Sequence, residues 1–231
     1  MSYIRVYLLL TILVFFTACG GSSIENHTAA AQAPKNEDIS ESVRVACVGD
    51  SVTYGYGLDN RHTESYPSQL SALAGAEWSI ENFGLTSATV LKKGNVPYSK
   101  SASFAQSQAY NPEIVVIILG TNDSKSINWK YKSEFISDYT ALIESYQALP
   151  SSPEVWIAYP TPAYSGTAGI TDRVIREEII PMIDIVAQNT GVEVLDLYSQ
   201  LSDSEELFPD TIHPNVEGSN IIAQIVYAAI Y

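Results

Sequence analysis

Four short stretches of the sequence set groups able to perform acyl transfer beside turn-forming residues. Ser51 stands in Gly49-Asp50-Ser51-Val52-Thr53, Gly84 closes Asn82-Phe83-Gly84, Asn122 stands in Gly120-Thr121-Asn122-Asp123, and Asp210-Thr211-Ile212-His213-Pro214 lies near the C-terminus. Attack on an ester carbonyl needs a nucleophile, a base to take its proton, and donors where the oxyanion develops. A serine that follows a strand and opens a helix can project its hydroxyl at the sheet edge while its own amide points at that oxyanion. Asp210 and His213 are three apart, close enough on a turn for the carboxylate to hold the imidazole tautomer while the other ring nitrogen reaches a serine. Gly84 would offer an unobstructed backbone N–H, and Asn122 a side-chain amide. Each stretch also has a plainer reading. A Gly-Asp-Ser turn is commonly a helix cap, and Asp210 could equally cap a final helix.

Chemistry of this kind depends on elements that bring distant residues together. Apolar runs of strand length, rich in Val and Ile, occur at residues 43–48, 78–83, 114–119, 155–159 and 192–197. Between them, Phe135, Tyr139, Leu142, Ile143 and Tyr146 trace one helix face, and Val174, Ile175, Ile179, Met182, Ile183 and Val186 another. Pro181 predicts a kink or a restarted helix in the second, and the last helix is expected over residues 216–229. Strands alternating with helices imply right-handed crossovers and a three-layer α/β/α sandwich with a mainly parallel sheet of about five strands. Ligand sites in such sheets lie beyond the carboxyl ends of the strands, where the first three stretches fall.

In order and in strand context, the four stretches resemble the sequence blocks of the SGNH hydrolases, also called GDSL-type esterases, across residues 43–231. The resemblance implies a flavodoxin-like SGNH fold and a serine esterase that needs neither metal nor cofactor. It implies Ser51 as nucleophile, His213 as general base and Asp210 as the carboxylate behind it. Ser51, Gly84 and Asn122 would form the oxyanion hole. Asp50 and Asp123 would stabilise turns. The sequence around Ser51 lacks a Gly-x-Ser-x-Gly elbow, which argues against the α/β-hydrolase fold.

Lys92-Lys93-Gly94, Asn128-Trp129 and the segment from Tyr159 to Tyr164 are similar to envelope esterases that act on acetylated carbohydrates. That similarity implies a short acyl group. No long apolar loop stands near any block to form the acyl groove or lid of a lipase. Tyr54, Tyr56, Tyr98, Trp129 and Tyr164 fall in segments expected to rim the site, where aromatic faces can stack on sugar rings or simply fill loop cores. Trp129 is the first candidate for a sugar platform. Two other readings stay open: a lipase or thioesterase acting on longer chains, and a glycan-binding module that keeps the fold without turnover.

Composition narrows the partners. Lys and Arg number 12 against 26 Asp and Glu, a formal charge of −14, which argues against nucleic acid. Two cysteines and three histidines are too few for a disulfide framework or a convincing zinc cluster. At the N-terminus, Arg5 is followed by a short apolar run and then Phe16-Thr17-Ala18-Cys19, which resembles the lipobox of bacterial lipoproteins. Residues 1–18 are therefore expected to be a signal peptide, with Cys19 acylated and anchoring the chain at a bacterial envelope membrane. Residues 19–41, rich in Gly, Ser, Ala and Asn, lack apolar periodicity and read as a tether. Residues 42–231 remain as one domain, with Cys47 a small core residue and the oligomeric state open.

Overall fold

The computed structural model describes residues 42–164 and 167–231. The expected signal, Cys19 and the tether lie outside the described residues. Five parallel strands form the sheet: β1 (Val43–Gly49), β2 (Trp78–Gly84), β3 (Ile114–Ile118), β4 (Glu154–Ala158) and β5 (Glu193–Leu195), in the order β2-β1-β3-β4-β5. From β1 the chain crosses outward to β2 and then back past β1 to β3. The order thus reverses at β1, and a crevice opens between the carboxyl ends of β1 and β3. Gly49, at the end of β1, pairs with both Gly84 of β2 and Ile118 of β3, so the three strands finish level.

Residues on the central strands alternate between two cores, as a period of two requires. Val45 and Cys47 of β1, with Val116 and Ile118 of β3, face helices α2 (Tyr66–Ala74) and α6 (Val216–Ile230) through Tyr66, Leu70, Ile222 and Val226. Ala46 and Val48, with Val115 and Ile117, face α4 (Phe135–Gln147) and α5 (Ile180–Thr190) through Phe135, Tyr139, Ile143, Ile183 and Val186. Helix α3 (Ala102–Ala109) adds Phe104 to that second layer. The central strands are buried on both faces, which is why they read as continuous apolar runs. Helix α1 (Ser51–Tyr54) is only one turn long.

Pro181 does not stop its helix. Helical backbone begins at Asp172 and continues into α5, with a five-residue π-helical turn at Ile175–Ile179 just ahead of the proline. Proline has no N–H to donate, and its ring crowds the carbonyl one turn back; a widened turn accommodates both. The last helix, α6, ends one residue beyond the expected boundary.

Candidate active site

The turn from β1 into α1 is tight. A Cβ on Gly49 would fall 2.1 Å from Thr53 Oγ1 and 2.6 Å from the Ile118 carbonyl oxygen, so only glycine lets α1 fold back onto the strand end. The next residue, Asp50, is fully buried and accepts a hydrogen bond from the Val52 amide at 3.0 Å. Asp50, rather than Ser51, is therefore the cap of α1. That leaves the Ser51 hydroxyl free of the backbone, and it lies 2.9 Å from His213 Nε2. Burial pushes the Asp50 carboxyl up to about 6.

His213 is aimed by its own turn. Asp210 Oδ1 accepts from the amides of Ile212 at 3.1 Å and His213 at 2.7 Å, and Thr211 between them takes a positive φ of 72°. This curls the chain until His213 Nδ1 meets Asp210 Oδ2 at 2.6 Å. Burial works against the Asp210 charge, but hydrogen bonds from the His213 ring and the two amides outweigh it and hold the carboxyl below its ordinary value. Asn215, not Asp210, caps α6 by accepting from the Gly218 amide. The result is a hydroxyl, an imidazole and a carboxylate in line, a relay able to draw a proton off Ser51.

Asn122 follows β3 into the same crevice. It is buried, its carbonyl accepts from Asn128 Nδ2 at 2.8 Å, and its own Nδ2 reaches Asp50 Oδ2 at 3.4 Å. Gly84 does not join it. The Gly84 N–H donates to Asn82 Oδ1 at 2.9 Å, and a Cβ at this position would lie 2.2 Å from the Tyr54 amide nitrogen. Glycine is required there so that the end of β2 can lie against α1. The cleft beside Ser51, Asn122 and His213 is bordered instead by Thr86 and Ser87, two and three residues further along. Ser87 takes a φ of 64°, and its N–H has no acceptor among the described residues. Sequence reasoning passed over Ser87 because serine carries no sign of a left-handed backbone. Asp123 ties down the loop that follows it by accepting from the Val90 and Leu91 amides at 3.0 and 2.9 Å, and burial pushes this carboxyl up to about 7.

Of the five aromatics expected at the rim, Tyr56 stands there. Its ring is 51% exposed and lies 4.6 Å from the His213 ring, centroid to centroid. Trp129 is 7% exposed, packs edge-on against Phe135 and donates from Nε1 to Glu178 at 2.8 Å, so its face is not open to a sugar. Tyr98 is fully buried and donates to the Phe83 carbonyl. Tyr164 packs on Phe208, and its hydroxyl donates to the Leu201 carbonyl; its amide bonds to the Thr211 carbonyl, so it braces the Asp210–His213 turn from behind. The Tyr54 ring is covered by the Arg61 guanidinium at 3.9 Å. Lys92 and Lys93 are engaged by Asp138 and Glu134. Among the described residues, no group of three or more His, Cys, Asp or Glu side chains is placed to hold a metal ion.

Comparison with known proteins adds to this geometry. Residues 47–221 match the model of the GDSL-like lipase/acylhydrolase family. The chain is 37% identical over 216 residues to an acetylxylan esterase of Xylanibacter ruminicola, covering 86% of this chain and 44% of that protein. It therefore spans less than half the length of that relative. Among solved structures, the fold is similar to that of a carbohydrate acetylesterase from Sinorhizobium meliloti, with a TM-score of 0.61 at 19% identity, covering 82% of this chain and 100% of the other. It is similar also to a lipolytic G-D-S-L family protein from Veillonella parvula, with a TM-score of 0.62 at 19% identity, covering 82% and 98%. With a family model matched over most of the domain and a serine, asparagine and histidine gathered at one crevice, the chain belongs to the GDSL-like lipase/acylhydrolase family.

Proposed function

We propose that this protein is a serine esterase that removes short acyl groups, acetyl above all, from carbohydrate hydroxyls through an acyl-enzyme. The observation that carries the reading is the Ser51–His213–Asp210 relay, with heavy-atom separations of 2.9 and 2.6 Å. Ser51 Oγ attacks the ester carbonyl as His213 Nε2 takes its proton. Asp210 keeps the Nδ1 hydrogen in place and stabilises the imidazolium. The carbonyl oxygen becomes an oxyanion facing the Ser51 amide, Asn122 Nδ2 and, in place of Gly84, the unengaged Ser87 amide. Collapse of the tetrahedral intermediate breaks the bond to the sugar oxygen, which leaves with the proton from His213. Water then enters, gives a proton to His213 as its oxygen attacks the acyl carbonyl, and collapse of this second intermediate breaks the bond to Ser51 Oγ, which takes the proton back from His213 as the carboxylic acid leaves.

The cleft supports a small acyl group and a hydrophilic alcohol. Its volume is about 390 Å³, and eight of its eleven bordering residues carry polar side chains, with Ala168, Ile170 and Ile212 as the purely apolar ones. The relative named acetylxylan esterase supports an acetylated carbohydrate as substrate. The reading extends to location: acylation of Cys19 would anchor the enzyme at the envelope of a bacterium, and Cys19→Ser would move it from the membrane to the soluble fraction.

The test is hydrolysis of 4-nitrophenyl acetate, butyrate and octanoate by residues 20–231, together with acetate release from acetylated xylan and other acetylated glycans. Activity restricted to acetate and acetylated glycans supports the reading. Preference for octanoate would reassign the protein to lipase or thioesterase chemistry. A folded protein that binds glycans but cleaves no ester would make it a binding module.

A further inference from the structure

Ten of the chain's twelve basic residues lie among the described residues, and nine of these ten have a partner. Arg44, Lys92, Lys93, Lys132, Arg173 and Arg176 form ion pairs with carboxylates. Lys100 donates to the Lys92 carbonyl, Arg61 donates to the Tyr54 carbonyl and covers its ring, and Lys130 lies over the Tyr131 ring. Of these ten basic side chains, that of Lys125 alone makes no ion pair, hydrogen bond or ring contact among the described residues. It also borders the cleft that contains Ser51, Asn122 and His213.

A partnerless cation is unexpected in a protein of formal charge −14, where carboxylates outnumber basic groups more than two to one. The carboxylates near Lys125 are already engaged or out of reach. Asp210 holds the His213 ring and two amides. Asp50 lies buried beneath the cleft, where the Lys125 charge favours its ionised form, yet the two make no ion pair within 4 Å. Asp123 is turned away onto the Val90 and Leu91 amides. Lys125 follows the short Asn122–Ser124 turn and is half-buried, so the backbone that aims Asn122 also fixes where the lysine begins. An ammonium held in this way, without a carboxylate of its own, is a vacant half of a charge-assisted hydrogen bond.

We propose that Lys125 is a specificity-determining residue that reads a carboxylate on the sugar bearing the acyl group, so that the preferred substrates are acetyl esters of acidic, uronate-containing glycans. The proposal rests on the esterase reading above. It assigns no chemical step to Lys125: the residue orients the alcohol portion while Ser51 attacks the acyl portion. A charge-assisted hydrogen bond of this kind, partly shielded from water, alters kcat/KM by about tenfold.

The experiment compares two soluble probes, an O-acetylated methyl glucuronoside and the O-acetylated methyl glucoside of the same substitution pattern. It reads the ratio of their kcat/KM values in the wild type, Lys125→Met and Lys125→Arg. Each ratio is taken within one variant, so a general loss of activity or stability cancels. The expected wild-type ratio favours the uronate by about tenfold at low salt and shrinks as ionic strength rises. In Lys125→Met the ratio should fall to one or below, and Lys125→Arg should restore part of it. A wild-type ratio near one, or a preference that survives intact in Lys125→Met, overturns the proposal. If the wild type hydrolyses neither probe nor 4-nitrophenyl acetate, the esterase reading itself fails, an outcome distinct from loss of the charge preference.

Discussion

Ser51 and Asp50 divide between them two tasks that a single serine at a helix start would otherwise combine. The carboxylate of Asp50 caps α1, so the hydroxyl of Ser51 has no backbone donor to satisfy and can be held by His213 instead. Replacing Ser51 with Ala therefore removes the proposed nucleophile without removing the cap. Hydrolysis of 4-nitrophenyl acetate should fall by at least about 10³-fold, while circular dichroism and the unfolding midpoint stay close to wild type; unchanged hydrolysis would discard the mechanism. Asn122→Ala, which deletes one proposed oxyanion donor, should lower kcat by about 10²–10³-fold with little effect on KM. That Ser51, Asn122, His213 and Asp210 would border one crevice was legible in the sequence because each sits in a motif whose turn chemistry is local. Gly84 and Trp129 were not, for different reasons. A glycine after a strand signals a backbone constraint but not whether that constraint is a close approach, as here against Tyr54, or a free N–H. A tryptophan after a polar turn signals bulk, but which way the ring points depends on Phe135 and on Glu178, 49 residues further along the chain.

At the scale of elements, the site is an edge where three strands end level and three connections leave. Positions of the strands were legible within about two residues, because two buried faces impose unbroken apolar runs on β1 and β3. The strand order was reachable only through family resemblance, since periodicity carries no information on which strand neighbours which. Nor could the pattern show how the helix passes Pro181, because a π-helical turn is a backbone adjustment that leaves residue types unchanged. What joins the connections to one another is polar and buried. The carboxylate of Asp123, on the turn after β3, holds the Val90 and Leu91 amides of the loop that follows β2, the loop containing Ser87. Asp123→Ala would leave two buried N–H groups unpaired and should lower stability by about 2–4 kcal/mol in a denaturant titration. It should also lower kcat, because the loop that positions Ser87 is released. Asp123→Asn keeps one acceptor oxygen and should fall between the two; a variant as stable as wild type would show that the tie is not needed.

Across the whole molecule, stability and catalysis should respond to pH in opposite directions. Burial holds the carboxyls of Asp50 and Asp123 at about 6 and about 7, above the ordinary aspartate value near 4. The folded chain thus keeps protons that the unfolded chain would release. The stability contributed by these two groups is complete below the ordinary value and is lost as pH rises through about 6 and then about 7. Self-repulsion in a chain of formal charge −14 acts in the same sense as carboxylates ionise. Asp210 acts oppositely, because its carboxyl is held below the ordinary value; its contribution is lost only on acidification. The unfolding temperature should accordingly be highest in mildly acidic buffer, near about pH 5, and decline toward about pH 8. Substituting Asp123 with Asn should lower the acid-side maximum and flatten the decline, and a slope unaltered in both Asp123→Asn and Asp50→Asn would show that these carboxyls do not govern it. Hydrolysis has the reverse requirement: His213 must be unprotonated to accept the Ser51 proton, so the rate should fall on acidification even where the fold is most stable. The burial of Asp50 and Asp123 thus ties greatest stability to acidic conditions, where the proposed proton relay from Ser51 would be slowest.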